Sequence, residues 1–246
     1  MDRPAAGKAH FTAFLALLAT ALVVLPMIAV GRAGRAGVEL AVVLAMVSVV
    51  WKLMPRRSLL LLSALVASLT EAASMLRIFS PARAWVVLDH AGSIAFLLLV
   101  AGLITRNVWR ERAVTSDTIV GGIAVYILLG VVWSAAYQLL EFLAPGSLTV
   151  ASASGGRWGP WEAAPGQYPR LFFFSFVTLT TLGYGDIVPA SVPAALLTTL
   201  EAVAGPLYLT ILIARLVGLH VASAAGKGGA GAAGPGERQD PAPPYS

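Results

Sequence analysis

TLTTLGYGD, residues Thr178–Asp186, is the stretch on which the reading of this chain turns. Thr178, Thr180 and Thr181 lead into Gly183-Tyr184-Gly185, and Asp186 closes the run. A short apolar segment, Pro169–Thr181, enters it and a long one, Val192–His220, follows it. A polar, glycine-rich run is therefore set between apolar segments in a chain that is 58% hydrophobic. Its setting has to be understood before its chemistry.

Only 12% of the 246 residues are charged, against about 25% in a soluble domain. Six long apolar segments can be marked: Phe11–Val30, Val38–Met54, Leu59–Phe79, Trp85–Thr105, Ile119–Leu143 and Val192–His220. Each approaches or exceeds the ~20 residues that cross a ~30 Å hydrocarbon core. The reading is an all-α polytopic membrane protein with six transmembrane helices. Pro169–Thr181 has about 13 residues, too few to span. It reads as a re-entrant half-helix that enters and leaves on one side.

Several function classes drop out. There is no cysteine, so disulfides and thiolate catalysis are excluded. His10, His90 and His220 are far apart, without a zinc-site spacing. No GxxxxGK[ST] loop occurs, so no ATP-driven pump is implied. Nothing resembles a base-reading or stacking surface, so nucleic acid is not an expected partner. The chain reads as non-enzymatic, without catalytic residues or an organic cofactor.

Lys and Arg set the orientation. With the N-terminus cytoplasmic, eleven of the 17 basic residues fall inside and six outside, Arg32 and Arg35 among the six. Both termini are expected in the cytoplasm, and the Ala/Gly/Arg/Val-rich composition fits a bacterial plasma membrane. Residues 1–10 are a cytoplasmic N-terminus, although Arg3, Lys8 and Phe11–Val30 could also form a cleaved signal peptide with an unusually long core. Residues 11–105 form a four-helix peripheral domain and 106–118 an interfacial linker with Trp109. Within a pore domain at 119–220, residues 144–168 form a Gly/Pro/Ser-rich loop with Trp158, Trp161 and Tyr168 as interfacial anchors. Residues 221–246 are too poor in large apolar groups to pack, and read as a disordered tail.

Non-helical backbone at membrane depth must be buried in protein or line a water-filled cavity. Gly183 and Gly185 open dihedrals closed to other residues. Alternating them with Leu182 and Tyr184 can turn successive carbonyls to one side. A ring of such carbonyls replaces the hydration shell of an alkali cation, and the Thr181 hydroxyl can add a further ring of oxygens.

Thr181-Leu182-Gly183-Tyr184-Gly185-Asp186 resembles the selectivity filter of potassium channels. The order of outer helix (119–143), pore helix (169–181), filter (181–186) and inner helix (192–220) resembles their pore module. The motif is specific: GYGD preceded by threonines and an apolar half-helix is not a generic glycine pattern. The resemblance implies that carbonyls of Thr181, Leu182, Gly183 and Tyr184, with the Thr181 hydroxyl, ligate dehydrated potassium. Gly185 would turn the strand outward and Asp186 would stand at the mouth. One such strand cannot enclose an ion, so a homotetramer in a lipid bilayer is implied.

The chain departs from that pattern in places. Leu182 stands where valine is usual, with its carbonyl unaffected. Phe173 and Phe174 stand where tryptophans are common; they can form an aromatic cuff around Tyr184 but donate no hydrogen bond. Thr180 also belongs to the support of the filter. Val177 stands where some channels hold a buried glutamate, so Asp186 lacks both usual partners. In the inner helix, Gly205-Pro206 is expected to bend the chain as a gating hinge, or alternatively to give a static kink. Glu201, a carboxylate inside a membrane segment, faces either the cavity or the back of the filter. Arg215 is expected to snorkel at the cytoplasmic end.

Six segments with the pore last suggest a voltage-gated architecture. Each sensing charge that crosses the field supplies about 2.3 kcal/mol per 100 mV. The fourth segment, WVVLDHAGSIAFLLLVAGLIT, has no Arg or Lys, so steep voltage gating from it is not expected. Glu71, Arg77, Arg83, Asp89 and His90 cluster around the third and fourth segments, as packing groups or as a proton sensor. Either way, Arg77 or Arg83 is expected to pair with Glu71 or Asp89. Ser116 or Asp117 is expected to cap the fifth helix. The reading is a potassium-selective channel. A weakly selective cation channel, a non-conducting sensor or assembly subunit, and a potassium transporter are the alternatives.

Overall fold

The computed structural model describes residues 65, 68, 69, 72, 76, 82–111, 114–150 and 167–232. The first two apolar segments, nearly all of the third, Glu71, Arg77, residues 151–166 and the last residues of the tail lie outside them.

Helix α1 (Arg83–Arg110) and helix α2 (Ser116–Leu143) each have 28 residues. They are followed by strand β1 (Leu148–Val150), the short helix α3 (Gln167–Leu179), strand β2 (Ile187–Pro189) and helix α4 (Val192–Ala232). Among the described residues, α1, α2 and Val192–Ser223 of α4 are long and apolar enough to cross a membrane, whereas α3 is not.

Two apolar clusters hold these elements. Phe96, Val100 and Ile104 of α1 pack with Ala124, Leu128 and Val131 of α2 and reach Leu212 of α4. Their spacing in steps of three and four places each set on one helical face. The second cluster joins Tyr137, Leu148, Leu171, Phe174, Ile187 and Ala194, one residue or more from every element except α1. It seats α3 between α2 and α4.

Element ends differ from expectation in ways the backbone explains. Helix α1 continues through Arg106 to Arg110, absorbing the first part of the expected linker. The cap of α2 is Thr115, not Ser116 or Asp117. A cap needs non-helical dihedrals; Thr115 has φ −117° and ψ 163°, while Ser116 is already helical. Thr115 Oγ1 accepts from Thr118 N at 3.2 Å and Thr118 Oγ1 from Thr115 N at 3.4 Å, a reciprocal box. Helix α3 ends at Leu179, so Thr180 and Thr181 form a turn rather than its last residues. Helix α4 carries Pro206 internally and runs past His220 into the stretch read as tail. Alanine, frequent there, is the strongest helix former.

Candidate functional site

The turn from α3 to β2 holds Thr180–Asp186. Three residues have positive φ in alternation: Thr181 (58°), Gly183 (60°) and Gly185 (75°). Sequence reasoning finds the two glycines but not Thr181. A β-branched residue in the left-handed region costs roughly 1–2 kcal/mol, so its surroundings must hold it there. They do so by hydrogen bonds. Thr181 N donates to Thr178 O at 2.9 Å, and Thr181 Oγ1 donates to Thr180 O at 2.7 Å.

Leu182 N and Gly183 N both donate to one acceptor, Val177 O, at 2.9 and 3.2 Å. This pair of hydrogen bonds to the end of α3 sets the carbonyl directions. In a trans peptide the N–H and the preceding C=O point opposite ways, and the described residues contain no cis bond. The carbonyls of Thr181 and Leu182 therefore both point away from α3. In a β-strand, successive carbonyls alternate sides; here two in a row share one. Val177 contributes through its backbone, which no side-chain pattern could reveal.

Phe173 stacks on Tyr184, with ring centroids 5.9 Å apart and planes at 11°. Phe174 does not join it. It is buried and meets Tyr137 edge-on at 4.9 Å. The expected two-ring cuff is thus a single ring within the protomer, because adjacent residues on a helix point in different directions. Thr180 donates from Oγ1 to Phe176 O at 2.7 Å, back onto α3.

Glu201 is fully buried, at 0% exposure, among α2, α3 and α4. Tyr137 donates to its Oε2 at 2.6 Å, and Ser175 Oγ stands 2.5 Å from its Oε1. It lies against α3, closed to solvent. Below it, a Cβ on Gly205 would overlap the Leu179 carbonyl oxygen. Gly205 is thus the point where α4 touches the end of α3 backbone to backbone. Tyr126 OH donates to the same Leu179 O at 3.3 Å.

The far end of the turn is fastened differently. Asp186 Oδ1 accepts from the neighbouring Ile187 N at 3.0 Å. Strand β2 pairs antiparallel with β1, placing Leu148 opposite Pro189 and Val150 opposite Ile187. Ala190 N donates to Ser147 O at 2.8 Å. Glu141, buried at the end of α2, organises that partner strand: it accepts from Gly146 N at 2.5 Å and Leu148 N at 3.1 Å.

Tyr137, Ser175 and Glu141 were not singled out in the sequence. Ser175 had a signal, as a hydroxyl within the apolar run LFFFSFV. Glu141 had a weaker one, a carboxylate at a helix end, where the macrodipole disfavours it unless backbone N–H groups meet it.

Away from the turn, Arg83 donates to Leu143 O at 3.3 Å, at the end of α2. His90 Nδ1 lies 2.9 Å from Val86 O and 3.9 Å from Asp89 Oδ2. Arg215 donates to Glu111 O at 3.0 Å and sits 5.5 Å over the Trp109 ring, tying α4 to the end of α1. Among the described residues no cluster of His, Asp or Glu could hold a metal ion. The oxygens on offer are those of the turn.

Residues 114–220 match a family model described as ion channel. Over 50 residues, 20% of this chain and 17% of the relative, the chain is 44% identical to the inward rectifier potassium channel Kirbac3.1 of Paramagnetospirillum magnetotacticum. Over 52 residues, 21% of this chain and 18% of the relative, it is 44% identical to two-pore potassium channel 4 of Arabidopsis thaliana. The chain thus spans under a fifth of the length of these curated relatives. No solved structure matches it. The apolar helices and the match together support a multi-pass membrane protein in which residues 114–220 are similar to an ion channel family.

Proposed function

We propose that this chain is one subunit of a homotetrameric potassium channel. Carbonyls of Thr181, Leu182, Gly183 and Tyr184, with the Thr181 hydroxyl oxygen, replace the hydration shell of potassium. Gly185 turns the chain outward and Asp186 stands at the mouth. The observation that carries this reading is the pair of hydrogen bonds from Leu182 N and Gly183 N to Val177 O. It leaves consecutive carbonyls facing away from α3, where water or a cation can meet them. The short α3 adds to this, since its C-terminal end carries partial negative charge beside the ion path.

One turn cannot surround an ion, and cyclic assembly supplies the others. An exposed apolar stripe on α4, with Val192, Leu196, Leu200, Val203, Leu207 and Ile211, supports neighbouring copies around a shared axis. Gly205 and Pro206 form the hinge that sets how far the lower ends of α4 splay. Because Gly205 touches Leu179 O, bending there also reaches the end of the pore helix. The basic-residue bias supports both termini in the cytoplasm of a bacterial inner membrane.

The test is the reversal potential across bilayers holding the purified protein, with potassium on one side and sodium on the other. The expected value lies near the potassium equilibrium potential, and Gly183→Asp abolishes the current. A cation channel of weak selectivity is the second reading. The Phe173 ring favours it, since it stacks on Tyr184 without offering a hydrogen bond. A reversal potential near zero with current present would select it. Tetrameric protein that carries no current at any voltage or pH would defeat both.

A further inference from the structure

Glu201 has no part in ligating the ion, yet it is the most deeply enclosed carboxyl group near the turn. Among the described residues no basic side chain bonds to it. Its contacts are Tyr137 OH at 2.6 Å and Ser175 Oγ at 2.5 Å. Ser175 Oγ also stands 2.7 Å from Gly130 O.

These three short oxygen–oxygen contacts need three protons. The Tyr137 and Ser175 hydroxyls supply one each, and the Gly130 carbonyl supplies none. If Glu201 were ionised, the single Ser175 proton would have to serve two acceptors, leaving lone pairs opposed across one contact. With a proton on Glu201 every contact closes. Tyr137 O–H donates to Oε2, the Glu201 O–H donates to Ser175 Oγ, and Ser175 O–H donates to Gly130 O.

The bonds run from Glu201 of α4 directly to Tyr137 of α2, and through Ser175 of α3 to Gly130 of α2. Ser175 lies on α3 shortly before Val177, whose carbonyl holds Leu182 N and Gly183 N. A shift of α3 would carry Val177 O with it and re-aim the carbonyls of Thr181 and Leu182. We propose that Glu201 is a neutral carboxylic acid that fastens the pore helix to its two neighbours, and is thereby a positioning residue for potassium selectivity. The selectivity half rests on the conduction reading above.

The experiment compares potassium-to-sodium permeability ratios of wild-type and variant tetramers in the same bilayers, alongside infrared difference spectra of the same proteins. In Glu201→Gln the amide N–H₂ can donate to Ser175 and the amide oxygen can accept from Tyr137, without charge. It should keep the ratio within about twofold, whereas Glu201→Leu, which makes neither bond, should lower it by about tenfold or more. Should Glu201→Leu fail to assemble, Tyr137→Phe removes the Oε2 contact while leaving Glu201 and Ser175 in place, and should lower the ratio by a smaller factor. The wild-type spectrum should carry the carbonyl stretch of a protonated carboxylic acid, absent from Glu201→Gln.

Glu201→Gln losing selectivity as fully as Glu201→Leu would overturn the neutral form, as would a missing infrared band. Unchanged ratios in both Glu201→Leu and Tyr137→Phe would overturn the positioning role. A wild-type ratio near one would sink the potassium-selective reading and the positioning role with it. The infrared band would still decide the charge of Glu201, since it is read without current.

Discussion

The two ends of the turn are held by unlike means. At the Thr181 end, the contacts are close in sequence: Leu182 N and Gly183 N reach Val177 O, and Thr181 N reaches Thr178 O. At the Asp186 end, the Asp186 carboxylate bonds only its neighbour Ile187 among the described residues, and the position depends on β1, contributed from beyond α2. Local backbone bonds re-form whenever α3 forms. A strand pair whose members lie far apart in sequence depends on everything that places its partner. The Thr181 end should therefore be stiff and the Asp186 end adjustable, so that damage at either end should give a different failure.

The largest effect is expected where α4 presses on the Thr181 end. Gly205→Ala would drive a methyl group into the Leu179 carbonyl oxygen, which as backbone cannot swing aside. Overpacking of this kind costs about 1–3 kcal/mol. Thermal unfolding of the detergent-solubilised protein should show a clear fall in midpoint, and potassium selectivity should fall with it. A wild-type midpoint would remove Gly205 as the contact that holds the end of α3.

Glu141→Ala attacks the other end. It leaves the Gly146 and Leu148 N–H groups without their acceptor, and a buried donor left unmatched costs about 1–3 kcal/mol. Amide exchange should speed up at Leu148–Val150 and Ile187–Pro189 while Leu182 and Gly183 stay protected. Equal loss of protection at both ends would mean that they are one cooperative unit.

Thr115→Ala is the smallest change and lies far from both ends. Losing the cap and its bond to Thr118 costs about 0.5–2 kcal/mol. Stability should drop slightly with the permeability ratio unchanged. A changed ratio would show that the start of α2 is coupled to the turn.

Much of the fold was legible because bilayer thickness acts on length. Ile119–Leu143 and Val192–His220 announce spanning helices, and Pro169–Thr181 announces one that cannot span. The ends were less legible, since a cap is defined by dihedrals. Thr115, Ser116 and Asp117 are all good cap residues, and a string of letters does not say which one leaves the helix. In the site, Gly183 and Gly185 were readable as positive-φ positions, but Thr181 was not, because its conformation is imposed by hydrogen bonds rather than preferred. Phe173 and Phe174 were read as a pair, and the helix sends them apart.

The residues of Thr178–Asp186, the half-helix before them and the apolar runs around them carry the resemblance to a potassium-channel filter and the membrane setting. Both follow from residue type and spacing alone. The carbonyl directions at Thr181 and Leu182, the burial of Glu201 between Tyr137 and Ser175, and the support of β1 by Glu141 do not. Each depends on which groups from distant segments meet at hydrogen-bond distance, and that is settled when α2, α3 and α4 pack.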